Sequence, residues 1–165
     1  MTKYLGDSTT RSADSKWQGD KIPENKPQGM TRLVFHNLNG INLEGIEGID
    51  QLVAEQISLQ VDIQAMSEHC LDTTKHRVYQ QAKDKVRRHS PNSSLLSLHS
   101  STDTAIHTYK PGGTGILLLG PTVSRINTRG VEGDKMGRWS AVHFTRRSHP
   151  PLTVISAYQI GRAHV

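Results

Sequence analysis

The sequence of 165 residues contains a single cysteine, Cys70, so no internal disulfide can form. An unpaired thiol is typical of reducing compartments, so we expect an intracellular protein of the nucleus or the cytoplasm. Long apolar runs are also missing, since no stretch approaches the roughly 20 residues that a membrane-spanning helix needs. The N-terminus lacks the apolar segment of a signal peptide, and we expect no membrane partner.

Aromatic residues are scarce, at 5% of the chain, which argues against the stacking platforms that single-strand readers use. Basic residues outnumber acidic residues by 20 to 15, which gives a net charge of +5. An excess of Lys and Arg favours a polyanionic partner such as DNA, because these side chains displace counterions from phosphates. A solvated basic surface without a partner is the alternative interpretation.

The chain divides into three parts. Residues 1–30 are polar and rich in turn formers, which predicts a flexible basic lead-in. Residues 31–159 carry the apolar periodicity of one folded domain. Residues 160–165, IGRAHV, match the translation of a widely used sequencing adapter, ATC GGA AGA GCA CAC GTC, so we interpret them as a scar of sequencing and exclude them from the fold.

The first half of the domain predicts a strand, a helix and a second strand in close succession. Residues 31–37 form a short apolar run that ends in a polar turn, which is typical of a buried strand. Residues 45–60 place apolar side chains three and four positions apart, as on one face of a helix. The second strand, at residues 61–66, follows with almost no linker, so we expect a βαβ-type crossover.

The second half predicts one more helix and several short strands. A helix capped by Asp72 or Thr73 is expected to run through Arg88 with a basic outer face. Residues 123–126 are predicted to pair back on the preceding strand as a hairpin. Because no helices separate the later strands, we expect an α/β fold whose later part is largely antiparallel; these strands are predicted at residues 95–98, 116–119, 140–145 and 152–158.

One carboxylate stands at the end of the second apolar strand. In the stretch VDIQAMSEHCL, the strand runs directly into Glu68. Many α/β folds place a catalytic group at the carboxyl end of a buried strand in this way. A simple strand-end carboxylate is the alternative. His69 beside Cys70 is not a zinc site, because no second Cys/His pair has suitable spacing, and we interpret His69 and His143 as packing or edge residues.

Several separated motifs follow the order seen in the endonuclease/exonuclease/phosphatase superfamily, which includes the DNase I-like enzymes. The first strand ends in Asn37-Leu38-Asn39-Gly40, and the next carries D-I-x-x-x-x-E, which ends at Glu68. A glycine-led strand, GGTGIL, a Gly-Arg pair at Arg138 and a strand ending in Ala-Tyr at Tyr158 follow. Over residues 31–158 the chain most resembles the endonuclease domain of non-LTR (LINE-type) retrotransposons, whose proteins also carry a reverse transcriptase.

This resemblance implies an α/β (α+β) DNase I-like sandwich of two sheets with outer helices, and a DNA endonuclease that uses Mg²⁺ or Mn²⁺. Glu68 is similar to the metal-binding glutamate of the family. Asn37 and Tyr158 resemble its catalytic residues beside the metal and the phosphate, and Arg138 a phosphate-binding residue. The residue types suit phosphodiester hydrolysis, in which a hard cation held by oxygen ligands neutralises the phosphate.

The chain departs from the family pattern in two respects. Ser67 stands where family members often have Gln before the glutamate. The later motifs of the family, a D-x-N pair and a carboxyl-terminal Asp and His, are absent from the sequence. The resemblance therefore implies the N-terminal part of an endonuclease domain, inactive as it stands, with an exposed strand edge at residues 152–158.

Two other functions remain open at this stage. The first is another superfamily activity, that of an abasic-site-type nuclease or a phosphatase. The second is a non-catalytic nucleic-acid-binding fragment that acts through its basic residues. The second predicts salt-sensitive DNA binding that survives the loss of Glu68 and Asn37.

Overall fold

The computed structural model describes residues 23, 25–43, 48–102, 110–145 and 150–158. Most of the predicted lead-in and all of residues 160–165 lie outside these ranges. Within them, the chain forms a mixed α/β fold with two sheets and two α-helices.

A four-stranded sheet and two helices form the first half of the fold. The strands are β1 (Leu33–Asn37), β2 (Ile63–Ser67), β3 (Ser94–His99) and β4 (Thr114–Leu119), in the order β1-β2-β4-β3. Helix α1 (Ile49–Ser58) joins β1 to β2, which are parallel neighbours, so the predicted βαβ crossover is confirmed. Helix α2 (His76–His89) follows β2. Neither described helix is long and apolar enough to cross a membrane.

A three-stranded antiparallel sheet forms the second half. Its strands are β5 (Ile126–Gly133), β6 (Trp139–Phe144) and β7 (Leu152–Ala157), with β6 in the centre. The expectation of antiparallel pairing in the later part of the chain is therefore confirmed. Strand β7 lies across from β2 and β4 of the first sheet.

Strand β4 is buried along its whole length because it packs on both of its faces. Leu117 and Leu119 belong to the core between the first sheet and the helices, together with Val53 of α1 and Val86 of α2. The alternate residues Ile116 and Leu118 belong to the core between the two sheets. A strand covered on both faces has a continuous apolar sequence, which explains why this strand is easily identified.

Two local predictions are wrong. Residues 123–126 do not pair back as a hairpin, because β4 already has β2 and β3 on its two edges. The chain instead makes a 3₁₀ turn over Gly120–Arg125, with Pro121 near its start, and Ile126 begins β5. Helix α2 is not capped by Asp72 or Thr73. Its N-cap is Lys75, which makes no side-chain cap.

The prediction that the first strand is buried is also wrong. Leu33 and Phe35 of β1 are 52% and 58% exposed. Strand β1 is the edge of the first sheet, and no described strand of the second sheet packs extensively across from it. Strand β7 has the exposed edge that was expected, since among the described strands it pairs only with β6, and Ile155 is largely exposed.

Asp62, the first residue of the D-I-x-x-x-x-E motif, has a structural role at the far end of β2. Its carboxylate accepts a hydrogen bond from the backbone N–H of Arg32 at 2.7 Å and pairs with Lys26 at 2.6 Å. These bonds fix the start of β1 beside the start of β2. The two parallel strands therefore end at the same edge of the sheet, where Asn37 and Glu68 lie.

Candidate functional site

Glu68 follows the last residue of β2 and adopts a left-handed backbone conformation, with φ of 54°. This conformation costs a residue with a side chain about 1–2 kcal/mol. The backbone is held there from both sides, because the N–H of Glu68 donates to the carbonyl of Gly113 at 2.8 Å and its carbonyl accepts from the N–H of Gly40 at 2.6 Å. Strained backbone of this kind clusters at functional sites.

Residues 68–70 form a short loop that is pinned between two neighbouring segments. Cys70 also has a positive φ, 57°, and its N–H donates to the carbonyl of Gly112 at 2.9 Å. On the other side, the N–H of Ile41 donates to the carbonyl of His69 at 3.1 Å. The backbone position of Glu68 is thus fixed by hydrogen bonds to both sides of the loop.

His69 points into the protein and is completely buried. Its Nδ1 accepts a hydrogen bond from the N–H of Leu71, so its Nε2 carries the proton and donates to the carbonyl of His99, each at 3.0 Å. Burial lowers the pKa of His69 to about 4 and keeps the ring neutral. A Cβ atom at Gly113 would lie 2.5 Å from Nε2, so this ring needs a glycine beside it. His69 therefore braces the loop, as the packing interpretation predicted.

Tyr158 follows β7 and brings the second sheet to the same rim. Its N–H donates to the carbonyl of Arg138 at 2.7 Å, and its hydroxyl lies close to the carboxylate of Glu68. That carboxylate, as a nearby hydrogen-bond acceptor, raises the pKa of Tyr158, with smaller effects of burial and of the negative charge on Glu68. A Cβ atom at Gly112 would lie 3.2 Å from the tyrosine ring, so the glycine makes room for it.

Asn37 is the last residue of β1 and lies opposite Ser67 in the parallel register. The N–H of Leu38 donates to the carbonyl of Ser67 at 2.9 Å, which aligns the ends of the two strands. The side-chain oxygen of Asn37 accepts from the N–H of Asn39 at 3.0 Å. Asn37 is therefore held, exposed, at the rim that carries Glu68.

Arg138 reaches this rim through its backbone. Its guanidinium Nε lies 3.1 Å from the carboxylate of Asp134, which also accepts the N–H groups of Arg138 and Trp139. The structure thus brings the ends of the strands that carry Asn37, Glu68 and Tyr158 to one rim. The charged end of Arg138 lies beside Asp134 at the surface.

A layer of small hydroxyl side chains lies beneath the rim and was not predicted from the sequence. Thr114 and Ser140 share a hydrogen bond of 2.8 Å between the two sheets, and Ser156 donates to the carbonyl of Met66 at 2.8 Å. These residues are completely buried. In the sequence, such a layer is indicated by small polar residues at inward-facing positions near the ends of strands. Ser140 and Ser156 are an example, since they lie opposite each other on β6 and β7.

The donors available at the rim are oxygen atoms: the carboxylate of Glu68, the amide oxygen of Asn37 and the hydroxyl of Tyr158. Within the described ranges, no group of three or more His, Cys, Asp or Glu side chains could hold a metal ion. Mg²⁺ needs no such group, because it often binds one or two carboxylates and completes its six ligands with waters and substrate phosphates. The donor set therefore fits Mg²⁺ or Mn²⁺ better than a soft metal.

The comparison with known proteins gives no independent assignment. No established family profile matches this chain, and no curated protein is significantly similar to it.

Proposed function

We propose that the rim formed by Asn37, Glu68 and Tyr158 is part of a metal-dependent phosphodiesterase site that acts on DNA. The observation that carries this proposal is the position of Glu68. A single carboxylate stands at the end of a buried strand, in a strained backbone conformation, and faces the hydroxyl of a tyrosine from the other sheet. A strained backbone conformation persists only where surrounding contacts fix it, and such conformations cluster at functional sites.

The proposed fold is a DNase I-like sandwich. It is supported by the two sheets, by the helices on the outer face of the first sheet, and by the meeting of motif residues from both sheets at one edge. The order of these motifs along the chain matches that of the endonuclease domains that the sequence resembles. We therefore extend the proposal to the endonuclease domain of a retroelement protein that also carries a reverse transcriptase.

Each residue of the rim has a role that its chemistry supports. Glu68 would hold Mg²⁺, which when bound supplies positive charge for the phosphate. Asn37 orients a phosphate oxygen through its amide without adding charge. Tyr158 has one hydroxyl proton, which faces the carboxylate of Glu68 in this structure and which it would donate to a phosphate oxygen instead when DNA is bound. The guanidinium of Arg138 is paired with Asp134 in this structure, and it would bind phosphate only after leaving that carboxylate.

A general base is not provided by the described residues of the rim. His69 is neutral, but both of its ring nitrogens are engaged in hydrogen bonds inside the protein. We propose that the base and the groups that act on the leaving oxygen belong to the later motifs of the endonuclease domain. This chain should then bind a metal and DNA without cutting the DNA.

The proposal is tested by measuring how Mg²⁺ changes DNA affinity. Fluorescence anisotropy of a labelled DNA duplex gives the affinity of the 165-residue chain with Mg²⁺ and with EDTA. Mg²⁺ should strengthen binding in the wild type and in Glu132→Gln, a control that removes an exposed carboxylate on β5. Glu68→Gln should lose this Mg²⁺-dependent gain. An equal gain in Glu68→Gln would contradict the proposal.

A plasmid assay tests the second part of the proposal. Incubation of supercoiled plasmid with the wild type and Mg²⁺ should leave it intact. Nicking that disappears in Glu68→Ala would show a complete active site, and it would overturn the assignment of the base to later motifs. Nicking that persists in Glu68→Ala would point to a contaminating nuclease.

A further inference from the structure

The outer face of α2 carries a concentration of positive charge that the proposed site does not use. Lys85 does not contribute to it, because Lys85 is buried and pairs with Asp50 of α1. Asp84 is the only acidic residue of this helix. The cations left at the surface or partly exposed are Arg77, Lys83, Arg87 and Arg88.

This charge is poorly neutralised. Within the part of the chain that the structure describes, Arg77 has no ion-pair partner, and Arg87 reaches Asp84 only at 4.0 Å. Arg88 forms no direct ion pair there and acts only at longer range on Asp50, whose pKa its charge helps to lower. Asp50, the nearest acid of α1, is already engaged by Lys85 and by His89 at 3.1 Å. A solvated helix usually alternates its charges, so that they pair along its surface.

The position of Arg77 adds a second argument. It lies in the first turn of α2, which has no acidic residue. The helix dipole places positive potential at this end, so a cation there is unfavourable for the helix. Arg87 and Arg88 lie in the last turn, where the dipole favours them. Helix stability therefore accounts for the arginines at the end of α2 but not for the arginine at its start.

A groove runs beside the same helix. It has a volume of about 320 Å³ and is lined by Lys83 and Arg87 on one side and by Leu95 and Val131 on the other. The ammonium of Lys83 lies 4.4 Å from the centre of the Tyr79 ring, which holds the charge at the edge of the groove. The positive surface therefore extends from the outer face of α2 into the groove beside it, where Lys83 and Arg87 lie.

We propose that the outer face of α2 is a docking surface for a nucleic acid, which it binds through the phosphate backbone. A helix of 14 residues is about 21 Å long, which is the length of about six base pairs. The exposed residues of α2 are all polar, so this face has no apolar side chain to insert into a lipid surface. The inference goes beyond the proposed function, because this surface needs neither Glu68 nor a metal.

Charge reversal in EDTA tests this surface separately from the rim. We would compare the wild type with Arg77→Glu/Arg88→Glu and with Arg125→Glu/Arg129→Glu, which makes the same charge change at exposed positions outside α2. Anisotropy of a labelled duplex of about 20 base pairs, measured at several salt concentrations, gives the affinity and its salt dependence. Circular dichroism checks the fold, and Arg77→Gln/Arg88→Gln replaces the reversal if that variant unfolds.

The reversal on α2 should weaken binding about tenfold or more, and it should lower the slope of log affinity against log salt by about two. The control should lose much less. Equal losses in the two variants would mean that only net charge matters and would overturn the proposal. No duplex binding by the wild type, or binding to vesicles rich in phosphatidylserine in its place, would overturn it as well.

The two proposals fail in different ways. Among the variants compared, loss of the Mg²⁺-dependent gain is expected for Glu68→Gln, whereas a loss of metal-free affinity of about tenfold or more is expected for the reversal on α2. A chain that binds duplex in EDTA but shows no effect of Mg²⁺ would retain the α2 surface and reject the metal site.

Discussion

The hydroxyl of Tyr158 faces the carboxylate of Glu68, so that polar side chains from the two sheets meet at one rim. Glu68 follows the second strand of the first sheet, and Tyr158 follows the last strand of the second sheet. Residues far apart in the sequence thus meet where both sheets end. The fold places two polar groups at an edge, and the buried hydroxyl layer lies just beneath them.

The left-handed backbone conformation of Glu68 should lower the free energy of unfolding of any variant that has a side chain at this position. Glu68→Gly should have a free energy of unfolding about 1 kcal/mol higher than Glu68→Ala, because only glycine adopts this conformation without strain. Urea unfolding of the two variants gives the difference. The same pair at Glu55, inside α1, is the control and should show the reverse order, since glycine weakens a helix. Equal stability of Glu68→Gly and Glu68→Ala would refute the strain.

Burial of His69 predicts a loss of stability in acid. Its folded pKa, about 4, lies below the ordinary value of 6.5, so the unfolded chain binds more protons between these values. The stabilising contribution is complete above pH 6.5 and is lost as the pH falls towards 4, by about 3 kcal/mol. Urea unfolding between pH 7 and pH 4 measures this loss.

The matched variants for this pH dependence are His69→Gln and His76→Gln. Glutamine does not titrate in this range, so His69→Gln should be less stable at pH 7 and much less sensitive to acid. His76 is exposed at the start of α2, and its replacement should leave the acid sensitivity unchanged. If His69→Gln and the wild type lose the same stability in acid, the neutral buried histidine is not its cause.

The uncovered face of β1 predicts self-association. Replacing Leu33 and Phe35 with threonine should increase the monomeric fraction and change the free energy of unfolding by less than about 0.5 kcal/mol, because both side chains are largely exposed. Light scattering after size-exclusion chromatography reports the monomeric fraction. Ile63→Thr is the control, since Ile63 pairs with Leu33 in the register but is buried. It should cost about 2 kcal/mol.

If the variant with threonine at positions 33 and 35 had the same monomeric fraction as the wild type, self-association would have to come from another surface. The edge of β7, with the exposed Ile155, would then be the next surface to change.

The sequence predicts best those elements whose burial produces a regular pattern of apolar residues. Strand β4 is apolar throughout because it is covered on both faces, and α1 shows its buried face as a period of three and four. The exposure of β1 was not predictable, because an apolar strand looks the same whether or not another sheet covers it. The failed hairpin at residues 123–126 has the same origin, since the free edges of β4 depend on distant strands.

The candidate site was predicted in part, for a related physical reason. Motif order indicated Asn37, Glu68 and Tyr158, and parallel or neighbouring strand ends bring them to one rim. The pairing of Arg138 with Asp134 depends on the turn between β5 and β6, which short-range patterns do not specify. The strain at Glu68 was equally invisible, since it follows from hydrogen bonds to Gly40 and Gly113.

Metal binding at Glu68 tests the central claim most directly. Electron paramagnetic resonance of Mn²⁺ reports the free ion, so a titration of the protein gives its affinity for the wild type, Glu68→Gln and Glu132→Gln. The account predicts one Mn²⁺ site that Glu132→Gln retains and that Glu68→Gln weakens about tenfold or more. Glu68→Gln that binds Mn²⁺ as tightly as the wild type, or a wild type that binds none, would contradict it.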